Sequence, residues 1–252
     1  MRRFFDLLIP IEVLSPQTLQ TIRELNFSGV GASLGVRLLS TNLAGSLENL
    51  KKVKSAGEAE GLDVVSRMMV DEVLSEGALR ALLRKFRKRV EVFSVHALDR
   101  RLTALACRDS RVDVITLLPG SRLFKGDLVY INEYSKGVEL LMAPVQVGSP
   151  LSRAKALAYY SRTVELLQRK GLAASLIFSS GAASSKTLRD PRSMASLLSL
   201  MGLTYDAALD AVSINVERLV AECRDRLSGV APVRGVRIVE RGGGGGRWAT
   251  HL

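Results

Sequence analysis

Short apolar runs alternate along the chain with stretches whose apolar positions recur every three or four residues. "RFFDLLIPI" reads as a strand, and Ser15 and Pro16 open a helix to about Asn26. "FSGVGASLGV" reads as a glycine-rich strand and turn, "LENLKKVKSAGEAEG" as a helix with Leu47, Leu50 and Val53 on one face, and "LDVVSRMMV" as a buried strand. "SEGALRALLRKFRK" is helical, turning Leu79, Leu82, Leu83 and Phe86 inward, and "VEVFSVHA" is the next strand. The alternation continues with a helix from Asp99, the strand "VDVITLL", a helix in "KGDLVYINEYSKG" and a strand in "VELLMAPVQV". The long helix "SRAKALAYYSRTVELLQRKG", the strand "LAASLIF" and further helices to about Leu227 complete it.

Roughly seven βα units predict an α/β fold, with a parallel sheet closed into a TIM-barrel-like (β/α) barrel and extra C-terminal helices. A doubly wound open sheet is the competing arrangement. One barrel domain is expected over 1–229. A basic, glycine-rich tail over 230–252 is expected to be flexible, because five consecutive glycines cannot repay the entropy of ordering.

Composition adds a partner class. The chain has 252 residues, 47% of them hydrophobic, enough for one large core. Its formal charge of +11, from 36 basic and 25 acidic residues, points to an anionic partner such as nucleic acid. Cys107 and Cys223 lie far apart in no metal-ligand spacing, which fits a reduced, cytoplasmic setting. Asp6 and Glu12 interrupt the N-terminal apolar run, so it does not read as a signal peptide. No apolar run is long enough to span a membrane.

In a parallel barrel the chemistry sits at the C-terminal strand ends, where Ser179, Ser180, His96 and Asp99 fall. "FSSGA" is not a G-x-S-x-G elbow, and no P-loop is present. Only two histidines exist, too few for a histidine-rich metal cluster. Asp6, Asp71 and Asp99 are the remaining candidates for weak magnesium binding. Asp71 and Asp99, however, occupy helix N-cap positions. The serines read as turn residues. No catalytic residue and no metal ligand is assigned, although a free-standing barrel phosphoesterase using carboxylate-bound metal stays open as an alternative.

The basic residues fall in three groups. "RALLRKFRKR" puts Arg80, Arg84 and Lys88 on one helical stripe with no acidic residue inside the run. Arg100, Arg101, Arg108 and Arg111 form a second group, partly neutralised by Asp99, Asp109 and Asp113. In "SSGAASSKTLRDPRSM", Asp190 and Pro191 signal the start of a helix ending at Gly202, and Lys186, Arg189 and Arg192 surround that start. Arginine there suits bidentate phosphate contact.

"FFDLLIP", "VFSVHALDRRLTALACRDSRVDVITL" and "IFSSGAASSKTLRDPRSMASLLSLMGLTYDAALDAVSINVERLV" together resemble the ribonuclease P protein component 3 family, from about Phe4 to Val220. Leu141 and Val216 depart from that pattern, which has glutamate and proline there. The resemblance implies a barrel like the polymerase-and-histidinol-phosphatase fold without its metal-binding histidines. It implies a non-catalytic subunit of ribonuclease P, which removes the 5′ leader of precursor tRNA. The RNA subunit would carry the chemistry with magnesium, and this chain would bind no cofactor. Its partners would be ribonuclease P RNA, ribonuclease P protein component 2 and other subunits of the complex. RNA-contacting roles fall by resemblance on Arg101, Arg108 and Arg189, then Lys186. Arg192, Arg84 and Lys88 join them from the residue patterns above.

Overall fold

The computed structural model describes residues 2–231, the side chain of Ser40 apart, and the backbone of two short strands beyond them. Seven parallel strands run in chain order, β1 (Phe5–Pro10), β2 (Gly29–Gly35), β3 (Asp63–Val70), β4 (Val92–His96), β5 (Val114–Leu117), β6 (Gly137–Leu141) and β7 (Leu176–Ser179). No ladder joins β7 to β1. The two meet at a seam where the Ser180 N–H donates to Asp6 Oδ1 at 3.0 Å, so the barrel is nearly closed. This bears out the barrel and sets aside the open doubly wound sheet, whose strand order would reverse.

The helices α1 (Pro16–Glu24), α3 (Leu43–Ala59), α4 (Glu76–Phe86), α5 (Arg100–Arg108), α6 (Lys125–Glu133) and α8 (Pro150–Arg169) surround the sheet. After β7 come α9 (Pro191–Leu200), α10 (Tyr205–Ala211) and α11 (Ile214–Ser228). Two short helices were not expected: α2 (Val36–Thr41) and α7 (Ala143–Gln146). The strand expected through "VELLMAPVQV" stops at Leu141, because Pro144 cannot donate to a ladder but suits a first helical turn. The flexible tail expected over 230–252 lies outside the described residues, except for Val230 and Ala231 and for strands Val236–Arg237 and Ala249–Thr250, which pair antiparallel.

Helix α11 closes the N-terminal mouth of the barrel. Its Val216, Leu219, Val220 and Cys223 pack with Phe5, Leu7, Val65, Val92, Val114 and Ile177. Arg224 is clamped to Asp63 and Glu91, and Arg226 to Asp113, all just at the starts of strands.

Above that apolar layer lies a polar one. Arg67 and Glu139 are both fully buried and pair through two contacts, at 2.7 and 2.6 Å. Arg67 also donates to Ser94 Oγ (2.9 Å), Thr116 Oγ1 (3.1 Å) and the Leu7 carbonyl (3.1 Å). Glu139 in turn accepts from the Thr116 and Ser179 hydroxyls, each at 2.6 Å. The Leu7 carbonyl can point inward because the β1 register shifts between Asp6 and Ile9. Gly31 faces it, and any Cβ there would overlap that oxygen.

Removing one member of a buried ion pair strands the other, which costs about 3–5 kcal/mol. Arg67→Met is therefore expected to destabilise the barrel by about that amount in chemical denaturation. Arg67→Met/Glu139→Leu is expected to recover at least half of the loss, since the desolvated charges then vanish together.

Candidate nucleic-acid interface

The strand ends hold no catalytic constellation among the described residues. Ser179 spends its hydroxyl on Glu139, and the Ser180 hydroxyl accepts the Ala182 N–H at 3.1 Å, closing the turn that was read from the sequence. His96 is held neutral, its pKa pushed down to about 4 by burial and by the nearby Arg67 charge. Asp99 caps α5 by accepting the Leu102 N–H. Asp71 does not cap α4, where Ser75 does so; its carboxylate faces the Val36 N–H at the start of α2 instead. Leu8, Met69 and Leu141, with Leu118 against them, plug the C-terminal mouth. No group of three His, Cys, Asp or Glu among the described residues is placed to hold a metal.

Asp6, under that plug, is only partly partnered. Oδ1 accepts from Ser180 and Leu8 N–H groups, while Oδ2 has no partner among the described residues. Burial raises its pKa to about 6, although Ser180 and the Leu8 N–H oppose the rise.

The cations divide between the two ends of the barrel. Helices that follow parallel strands run back antiparallel to them, so helix N-termini lie at the strands' C-terminal rim. Arg101, in the first turn of α5, lies at that rim with Lys186, Arg189 and Arg192, which flank the start of α9. Arg84, Lys88 and Arg108 lie at the opposite end. Arg108 is seven residues along α5 from Arg101, about 10 Å away.

Lys88 does not share a helical stripe with Arg84, because α4 ends at Phe86. Arg87 there bends in to the Val90 and Glu91 carbonyls and to Asp113. Arg80 is paired with Glu76, one turn before the run that looked free of acid. In the second group, Arg100 pairs with Asp127 and Arg111 with Asp109, which leaves Arg101 and Arg108 without an ion-pair partner among the described residues. Arg108 lies over the Tyr130 ring at 5.9 Å. Arg189 gives Nη1 to the Lys186 and Leu188 carbonyls, so it shapes its own loop. Asp190 caps α9 as expected, accepting from Arg192 and Ser193 N–H groups.

The rim has further exposed cations that the sequence reading did not single out: Arg122, Lys125 and Arg153, none with an ion-pair partner among the described residues. Arg122 is in the β5–α6 loop, Lys125 opens α6 and Arg153 is in the first turn of α8, and only the barrel brings them to one end. The carboxylates at this part of the rim are used internally: Asp99 and Asp190 as caps, Asp127 against Arg100.

These features define a (β/α)-barrel protein with a sealed interior and a cationic rim. Residues 3–228 match the family model described as RNase P subunit p30, and the chain belongs to that family. It is thus a protein subunit of ribonuclease P, a complex that processes tRNA. It is 29% identical to ribonuclease P protein component 3 of Methanosarcina barkeri over 168 residues, 65% of this chain and 68% of that one. The same protein of Methanosarcina acetivorans is 27% identical over 169 residues, covering 66% and 69%. A chain of the cryo-EM structure of archaeal ribonuclease P with mature tRNA shares the fold, with a TM-score of 0.77 at 16% identity over 95% of this chain and 99% of that one.

Asp6 makes the fold sensitive to pH in a defined direction. Its pKa is higher folded than unfolded, so the stabilisation it gives on protonation is full below about pH 4 and lost as pH rises through 6. Relative to Asp6→Asn, the wild type is expected to gain roughly 3 kcal/mol on going from pH 7.5 to pH 4. Denaturation midpoints of both proteins across that range check this; parallel curves refute it.

Proposed function

We propose that this chain is a non-catalytic, RNA-contacting subunit of ribonuclease P that docks its C-terminal barrel rim, on the β4–β7 side, against the RNA subunit. Unpartnered cations gathered where every nearby carboxylate is already engaged carry this reading. Arg101, Lys186 and Arg192 supply charge, with Arg122, Lys125 and Arg153 beside them, and Arg189 holds the loop that presents Lys186. Phosphates are the matching partner. Arg84, Lys88 and Arg108, at the other end, form a lesser basic surface.

In this reading the RNA subunit, with magnesium, removes the 5′ leader of precursor tRNA, and this chain supplies no catalytic group and no metal ligand. It acts in the cytoplasm with ribonuclease P protein component 2 and the other protein subunits. Residues 1–229 form the working domain and 230–252 a basic tail. No helix among the described residues is long and apolar enough to cross a membrane. The alternative of a free-standing metal phosphoesterase finds no support, since Asp6 is buried within β1 while Asp71 and Asp99 follow β3 and β4, each with a separate backbone partner.

Reconstitution tests the assignment. Leader cleavage is expected with ribonuclease P RNA and component 2 present, and none from the purified chain with magnesium or manganese. Lys186→Ala/Arg192→Ala is expected to lower the salt slope of RNA binding by about two, one counterion per lost phosphate contact. Arg84→Ala/Lys88→Ala is expected to change it by less than one. Both variants should stay folded by circular dichroism, because exposed charges contribute at most about 1 kcal/mol. An unchanged slope in the first variant would remove the rim from the interface.

A further inference from the structure

Between the β4–α5 and β5–α6 loops the rim opens into a groove of about 220 Å³, bounded by residues from Ala97 to Arg100, Thr103, Gly120 to Arg122 and Phe124. Phe124 is 49% exposed at the very start of α6, an unusual place for a large apolar ring. The Arg100 guanidinium lies over that ring, 4.3 Å from its centroid. One buried oxygen holds both parts. Asp127 Oδ2 accepts from Arg100 Nη1 at 2.7 Å and from the Phe124 N–H at 2.8 Å. Ring and guanidinium are therefore set before any ligand arrives. The groove wall is braced too, since the Ser121 hydroxyl donates to the Ala97 carbonyl at 2.8 Å and accepts the Leu118 N–H at 3.1 Å.

We infer that this groove takes one unpaired nucleobase of the RNA, stacked on Phe124. The inference rests on the ribonuclease P reading above. An exposed aromatic ring backed by arginine is a stacking platform for splayed-out bases. The groove suits a single base better than a larger ligand. Its charge complements RNA: Arg122 lines it and Arg101 follows the lining Arg100 in the first turn of α5, and neither Arg122 nor Arg101 has an ion-pair partner among the described residues. A protein partner would meet little apolar surface inside the groove, because Leu98, 37% exposed, is the one large aliphatic side chain that lines it beside the ring. Stacking carries little sequence preference, so the groove fixes the position of a loop or bulge and leaves its base identity open.

The test uses the full chain with ribonuclease P RNA and the other subunits. Phe124→Ala and Phe124→Leu are each expected to weaken RNA binding about tenfold, within a range of about 5- to 100-fold, without altering the salt slope. Arg101→Ala/Arg122→Ala is expected to lower that slope by about two. Phe124→Tyr should bind as the wild type does. In a Trp248→Phe background, which removes the only native tryptophan, the indole emission of Phe124→Trp should be quenched on RNA binding. Wild-type affinity in Phe124→Leu, or bound RNA without quenching, would overturn the stacking site while leaving the subunit reading intact. Loss of affinity for another protein subunit, with RNA affinity unchanged, would also overturn it. A wild-type chain that neither binds the RNA nor supports cleavage would instead bring down the subunit reading itself.

Discussion

Arg67 and Glu139 come from strands three places apart, so they meet only if the sheet curls until its inner face closes on itself. Every strand except β2 gives this layer a group: the Leu7 carbonyl of β1, Arg67 of β3, Ser94 of β4, Thr116 of β5, Glu139 of β6 and Ser179 of β7. β2 gives space instead, through Gly31. Two charges sealed from water are tolerable only with this complete set of partners. Their cost makes the arrangement exacting. A one-residue slip of β3 or β6 would turn a bare charge into the apolar outer layer. Burial holds Glu139 toward its neutral form, but the Arg67 charge and its hydrogen bonds outweigh that and keep its pKa below the usual range.

The same layer accounts for the inert interior. Serine and threonine hydroxyls on barrel strands are residues that invite a catalytic reading. Three of them, Ser94, Thr116 and Ser179, point into the barrel to complete the Arg67–Glu139 pair. With Leu8, Met69 and Leu141 stacked above, nothing of this layer reaches solvent at the mouth. A barrel of this kind offers its rim and outer surface, and what the rim carries decides its use.

Much of the fold was legible, because buried parallel strands are continuous apolar runs and their helices announce themselves by caps. Ser15 before Pro16 and Asp190 before Pro191 both mark true helix starts. The errors came where a local pattern met a distant partner. Arg87 abandons the helix that its neighbours suggest because Asp113, from the start of another strand, draws it in. The polar layer went unread for the same reason: Arg67 and Glu139 are 72 positions apart. A signal existed in the charge at the centre of "LDVVSRMMV" and in the glutamate of "VELLM". A charge inside an otherwise buried strand requires a countercharge inside another. Of the candidate cations, the patterns found Arg101 and Arg108 only within a group of four. The resemblance set them apart from Arg100 and Arg111, and the physical reason is the pairing of those two with Asp127 and Asp109.

Parallel topology also contributes to the positive charge of the C-terminal rim. It sends the N-termini of α5, α6, α8 and α9 to the same end, and each N-terminus carries a partial positive charge. Aspartates at the caps of α5 and α9, and Asp127 at the head of α6, offset part of that charge but are used up in doing so. Lysine and arginine side chains then project from first helical turns and the loops before them, with no nearby carboxylate left to meet them. At the opposite end the acidic groups are engaged by basic ones, as Arg224 is with Asp63 and Glu91 and Arg226 with Asp113, because α11 must be fastened there to cover the apolar layer. The excess positive charge of the chain is thus partitioned by structural need: where basic residues hold the barrel shut they are neutralised, and where nothing internal requires them they remain available to phosphate.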